Sequence, residues 1–104
     1  MFNTIAAGTE FSLREQVKYE KDKAVKQPFI DQNGVKMLLV AIDHAELPDH
    51  PAPADALFIV MEGDGELTYE GKTVKVKHGT SVKFAKGAIH SVKADKLKFM
   101  LLFA

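Results

Sequence analysis

Apolar and polar residues alternate with period two along most of this chain, and that alternation commits it to strands. Val74-Lys75-Val76-Lys77, Val82-Lys83-Phe84, Val92-Lys93 and Leu97-Lys98-Phe99 each set apolar side chains on one face and lysines on the other, the pattern of a half-buried strand. Turn signals separate the runs. Asn33-Gly34 tolerates the positive φ that both central residues of a type I′ turn need, and joins Ala24–Asp31 to Val35–Asp43. Glu62-Gly63-Asp64-Gly65 is expected to break Ala56–Met61 from Glu66–Tyr69, with further turns at Glu70-Gly71-Lys72, His78-Gly79-Thr80 and Ala85-Lys86-Gly87. Short strands at this spacing predict an all-β sandwich or barrel rather than alternating strands and helices. Only Phe11–Lys23 carries helix-compatible residues, and it lacks an apolar stripe. Two readings stand there: a helix, or an edge strand with Val17 and Tyr19 facing in.

A chain of 104 residues accommodates one domain with one core. Its 46% hydrophobic and 27% charged residues are those of a globular protein, and the absence of cysteine rules out disulfides, thiolate metal sites and cysteine chemistry. Met1–Gly8 has no basic region followed by an apolar one, and no run is long enough to span a membrane, so the expectation is a cytoplasmic protein without a membrane partner. Fourteen basic residues balance fourteen acidic ones. From Lys72 to Lys98 eight lysines face only Asp95, yet they occupy alternate positions between apolar residues, and no arginine is interleaved to read a base. They read as the solvated faces of strands, and no nucleic-acid partner is expected.

Two stretches carry chemistry. The first is Asp49-His50-Pro51-Ala52-Pro53-Ala54-Asp55-Ala56, running on to Gly63; the second runs from Gly79 through Ala85-Lys86-Gly87 to His90. Their spacing resembles the two motifs of the cupin family, G-x5-H-x-H-x3-4-E-x6-G and G-x5-P-x-G-x2-H-x3-N. The resemblance covers the chain from about Val35 and implies a jelly-roll barrel over residues 35–104, preceded by N-terminal strands or an arm over 1–34. His50 and His90 match two motif histidines, while Ala52 stands for the second histidine of the first motif and Ala56 for its glutamate. His44 replaces the leading glycine, Ala85 the proline and Ala94 the asparagine. The chain looks closest to small single-domain cupins with an acidic-His-x-x-Pro-x-Asp-Ala pattern, which are also matched at Ala85, Gly87, His90 and Lys98-Phe99-Met100-Leu101-Leu102.

The resemblance implies a four-ligand metal cage of which half is missing. Histidines two apart on a strand share a face, a glutamate further along joins them, and a histidine from a neighbouring strand completes the set. Two neutral imidazoles alone imply at most a weakly bound divalent metal at His50 and His90. Asp55 lies one residue from the glutamate position and faces the other way on a regular strand; a bulge at Pro53-Ala54 is what would re-aim it. Phe58, Val60, Phe84 and Val92 share faces with Ala56 or His90 and are expected to line the interior, with part of the Leu97, Phe99, Leu101, Phe103 row. His44 and His78 sit in turn contexts and read as surface residues.

The expected site is therefore an apolar barrel pocket with His50 and His90 at its polar end, hydrogen-bonding a small molecule through an acceptor or anionic group. The alternative is a metal-dependent enzyme, of dioxygenase or isomerase type, that completes its ligand set with Asp55, water or substrate. A metal-free enzyme with a histidine as general base comes third, since no carboxylate pair or nucleophile stands nearby in sequence. Ala56–Met61 is apolar on both faces, with Leu57, Ile59 and Met61 opposite Ala56, Phe58 and Val60, and Met100 and Leu102 repeat this in the last strand. Such strands need a cover on both sides. The N-terminal segment or a second subunit supplies it, and a homodimer is the expectation.

Overall fold

Asn33 and Gly34 adopt φ of 52° and 78°, the left-handed pair that closes a two-residue hairpin. They connect β1 (Ala24–Gln32) to β2 (Val35–Pro51) in the computed structural model, which describes every residue from Met1 to Ala104. β3 (Ala56–Tyr69), β4 (Lys72–Lys77), β5 (Ser81–Phe84) and β6 (Ile89–Phe103) follow. Glu70-Gly71, at φ of 47° and 80°, makes a second hairpin of the same kind between β3 and β4. All pairings are antiparallel, in the order β1-β2-β6-β3-β4; β5 pairs the first part of β3, and β4 its second part. The fold is the all-β jelly roll that the sequence leads one to expect.

β2, β3 and β6 run for 17, 14 and 15 residues, longer than the sequence pattern suggests. The difference is sharpest at Glu62-Gly63-Asp64-Gly65, where the expected break is absent and β3 continues, with slips in its register against β6 on either side. The glycines are there because β6 presses against them. A Cβ on Gly63 would lie 2.1 Å from the Lys96 carbonyl oxygen, and one on Gly65 would lie 2.8 Å from that of Lys93. They mark a bulge and a close backbone approach, which glycine serves as readily as it serves a turn. His44, opposite this region in β2, also holds a positive φ, 45°. It is exposed as expected, but in a strand rather than a turn.

The long strands let the sheet roll so that its inner faces meet. Ile42, Phe58, Val60, Leu67, Val76, Phe84, Leu97 and Phe99 are all at most 2% exposed and belong to one core. On the outer face of the second half, cross-strand neighbours alternate in charge: Glu46, Lys93, Glu66 and Lys75 form one row, and Asp64 lies between Lys77 and Lys96. Lys75, Lys77, Lys93 and Lys96 are thus each matched by an acid on a neighbouring strand, a stabilising arrangement on a wet face, whereas Lys98, read from the sequence as solvated, is buried.

A second apolar cluster lies under the N-terminal segment. Residues 1–23 form neither the helix nor the edge strand read for Phe11–Lys23; they make short 3-10 turns at Phe2–Thr4 and Leu13–Gln16 and otherwise run irregularly. Without an apolar stripe, the segment docks through single side chains. Val17, 2% exposed, packs with Phe29, Leu39 and Ala41, and Tyr19 packs beside them, both inward as expected. The Tyr19 hydroxyl donates to Glu62 Oε2 at 2.7 Å, and the buried Lys98 ammonium donates to the Arg14 carbonyl at 2.8 Å. Lys96 and Lys98 stand 4.4 and 4.9 Å from the centre of the Tyr19 ring, within cation–π range. Burial and the Glu62 carboxylate push the Tyr19 phenol well above its usual pKa. This segment covers Met61 and Met100 but leaves Leu57 38% exposed. No helix is long and apolar enough to cross a membrane.

Candidate functional site

Between Leu47 and His50, β2 carries one residue more than β6 carries between Val92 and His90. On a regular strand, positions three apart point to opposite faces. The bulge at Pro48-Asp49 reverses this and turns His50 to the face of Leu47, directly across from His90. Pro48, which has no N–H to give to a ladder, is the local signal for that irregularity. The two imidazoles sit 4.2 Å apart, centre to centre, and the Phe84 ring packs against His90 at 4.4 Å, tilted by 41°.

Each imidazole is held by its own strand. His50 Nδ1 donates to the Pro48 carbonyl at 2.9 Å, and His90 Nδ1 donates to the Ala88 carbonyl at 3.1 Å. A carbonyl oxygen only accepts, so both rings carry their proton on Nδ1 and, when neutral, offer a bare Nε2. His90 is buried, 3% exposed, and that burial holds its pKa below the ordinary imidazole value; the Ala88 hydrogen bond opposes the shift and the neighbouring His50 adds to it. The loop beneath the pair is fixed by its backbone. Ala52 N–H donates to the Ala88 carbonyl, Gly87 N–H to the Ala52 carbonyl, and Ala85 N–H to the Tyr69 hydroxyl.

The imidazole pair lines a cavity of about 290 Å³. Its walls come from Pro28, Leu38, Val40, Leu47, Pro53, Phe84, Val92, Phe99, Leu101 and Phe103, and Ala52 and the lysines 26 and 36 complete them. Of the residues expected at the pocket, His50, His90, Ala52, Phe84 and Val92 line it. Ala56, Phe58 and Val60 instead pack in the core at 5%, 0% and 2% exposure, because β5 and β6 close over β3 on both sides. Asp55 is outside. It is exposed, and its carboxylate accepts the Lys86 N–H at 2.8 Å, so it fastens the 85–88 loop instead of turning inward. The bulge occurs at Pro48-Asp49 rather than Pro53-Ala54, and it re-aims a histidine rather than a carboxylate. Lys26 and Lys36 escape a sequence reading because their place depends on which strands meet; their alternation with Pro28 and with Leu38 and Val40 is the only local hint.

These residues do not fit the four-ligand cage implied by the resemblance. Ala52 and Ala56 offer nothing, Asp55 is engaged elsewhere, and no carboxylate or third imidazole converges with His50 and His90. The one convergent acid-and-histidine group is Asp22, Asp43 and His44, at a different place. There the Asp43 carboxylate already accepts from the His44 Nδ1–H and from Lys96 Nζ at 2.7 Å. These hydrogen bonds hold Asp43 below the usual carboxylate pKa and raise that of His44, as in a surface ion-pair cluster. A larger opening of about 860 Å³ is an open groove along the charged outer face, with only Ala45, Val76 and Ala94 apolar.

Comparison with known proteins places this geometry in a family. A conserved protein of unknown function from Streptococcus pyogenes superposes with a TM-score of 0.85 at 21% identity, over 99% of this chain and 92% of that one. A Cupin 2 conserved barrel domain protein from Leptotrichia buccalis gives 0.82 at 30% identity, over 90% of this chain and 47% of that one. Among curated proteins, an uncharacterised protein of Aquifex aeolicus (strain VF5) is 39% identical over 56 residues. This chain spans less than half of that relative's length, the aligned part being 46% of it. The family described as Cupin domain matches residues 38–103. A match that takes in both motif regions and most of the rolled sheet makes this chain a member of the cupin family.

Proposed function

We propose that this chain binds a small organic molecule in the cavity between the two halves of its sheet, without a metal. The observation that carries the reading is the cavity itself: about 290 Å³, nine of its fifteen lining residues hydrophobic, with two imidazoles at one end. Largely apolar concave space with a few convergent polar groups is the usual makeup of a small-molecule site. Two donors without a carboxylate also speak against the metalloenzyme alternative, since divalent ions in protein cages take three or more protein ligands.

Protein purified without denaturant, extracted with organic solvent and examined by mass spectrometry tests this. An organic compound near one per chain is expected from the wild type and is expected to be lost from Leu38→Trp, which fills the cavity. A wild type that releases nothing, and that no member of a fragment collection stabilises against heat, contradicts the proposal.

A further inference from the structure

The polar groups of the cavity divide into two sets with opposite demands. At one end, His50 and His90 have committed their Nδ1 protons to backbone carbonyls. What remains for a ligand is a pair of bare Nε2 atoms, which accept hydrogen bonds and repel an acceptor or an anion. The expectation that the histidines hold an anionic group therefore does not suit this tautomer. Lys26 on β1 and Lys36 near the start of β2 line the same cavity, and no acidic residue does. Neither lysine is in an ion pair. Asp31, the cross-strand neighbour of Lys36, makes none with it and is not part of the lining. Lys36 Nζ stands 5.9 Å from the centre of the Phe103 ring, against the cavity wall. Three phenylalanines line the same space, Phe84 beside His90 and Phe103 beside Lys36, with Phe99 as the third.

From this division we infer that the cavity takes a hydroxylated aromatic carboxylate, with the carboxylate at Lys26 and Lys36 and the hydroxyl donating to the imidazole pair. The inference rests on the small-molecule reading of the same cavity and adds its ligand class. Size agrees. At about 30 Å³ for each water-sized unit, the space holds about ten non-hydrogen atoms, those of a single ring with two substituents. An ammonium pair supplies the attraction for the anion. Bare imidazole nitrogens supply the preference for a donor, because an ether or hydrogen at that position leaves them unpaired.

The test uses 4-hydroxyphenylacetate, phenylacetate and 4-hydroxyphenylacetamide, titrated into the full chain and followed by backbone amide shifts. The first is expected to bind at least tenfold more tightly than either of the others. Lys26→Gln with Lys36→Gln, both on exposed side chains that leave the core intact, is expected to abolish the preference for acid over amide and to keep that for phenol over its hydroxyl-free analogue. Raised salt is expected to weaken only the acids. Binding of all three with equal affinity overturns the ligand class while leaving the cavity reading in place, as does a lysine double variant that still prefers the acid. Failure of all three to perturb the cavity residues, in protein that also carries no organic compound, overturns both.

Discussion

His50 and His90 oppose each other because the Pro48-Asp49 bulge shifts β2 by one residue, and each ring then turns its Nδ1 to a carbonyl two residues back on its own strand. The site is thus assembled from a local irregularity and a long-range pairing, and its consequences are open to measurement.

The histidines set opposite pH trends. His44 gains its raised pKa from Asp43; its stabilisation is present in full below about 6.5, the unfolded value, and is lost as pH rises through the higher folded value. Asp43, lowered mainly by Lys96 and His44, contributes above about 3.9 and loses that as pH falls through its folded value. His90 is lowered by burial, so below about pH 6.5 the unfolded chain takes up a proton that the folded chain refuses, and stability falls. Melting temperature measured against pH is expected to decline less above neutrality in His44→Asn than in the wild type. Asparagine suits the positive φ at that position, so backbone strain does not confound the comparison. An unchanged alkaline limb would show that the Asp43–His44 contact contributes nothing.

Gly63→Ala is expected to be severe. It combines a φ of 79° with a Cβ placed 2.1 Å from the Lys96 carbonyl oxygen. Left-handed backbone alone costs a non-glycine residue about 1–3 kcal/mol. Gly79→Ala, at φ 89° with nothing nearby, carries only that cost. Each kcal/mol lowers the melting temperature by about 4–8 °C in a domain of this size, so Gly63→Ala should melt well below Gly79→Ala. Equal losses would mean that β3 and β6 do not approach so closely.

Much of the fold is legible in the sequence because its determinants are local. Asn33-Gly34 defines its hairpin by dihedral preference, and in β4 the alternation correctly buries Val76 between exposed Lys75 and Lys77, although Val74 stays exposed. Gly63 and Gly65 are ambiguous for a physical reason: glycine permits both a turn and a close approach, and only the β6 backbone decides between them. Phe11–Lys23 docks through isolated side chains, so no period announces it. At the site, His50 and His90 are visible through motif spacing. The tautomers, the exclusion of Asp55 and the arrival of Lys26 and Lys36 all follow from which backbone lies opposite, and no single stretch of sequence records that.

Rebuilding the cage offers a gain-of-function experiment. Ala52→His with Ala56→Glu restores the two absent ligands, and a metal at about a hundredfold over its dissociation constant adds roughly 2.7 kcal/mol to the folded state. Both alanines are buried, at 3% and 5% exposure, so the variant is expected to start less stable, by about 1–3 kcal/mol from overpacking. The quantity to compare is the rise in melting temperature with metal within each protein. A large rise in the double variant and a small one in the wild type are expected; a wild type that rises as much, and loses the rise in His50→Ala, would restore the metalloenzyme reading.

We propose that a second copy covers what the N-terminal segment leaves open. Leu57 pairs across with Leu102, and Ile59 lies half-buried beside them. Light scattering at micromolar concentration is expected to give a dimer mass for the wild type and a monomer mass for Ile59→Lys. A monomeric wild type would leave the N-terminal segment as the sole cover.

Imidazole ¹⁵N spectroscopy of the freshly purified wild type tests the central claim most directly. At about pH 8, His50 and His90 are expected to carry their protons on Nδ1. Their Nε2 signals should be those of a bare or hydrogen-bond-accepting nitrogen, unchanged by a chelator. Protons on Nε2, or Nε2 signals of a metal-bound ring that a chelator abolishes, would contradict the account of this cavity as a metal-free acceptor site for a small organic molecule.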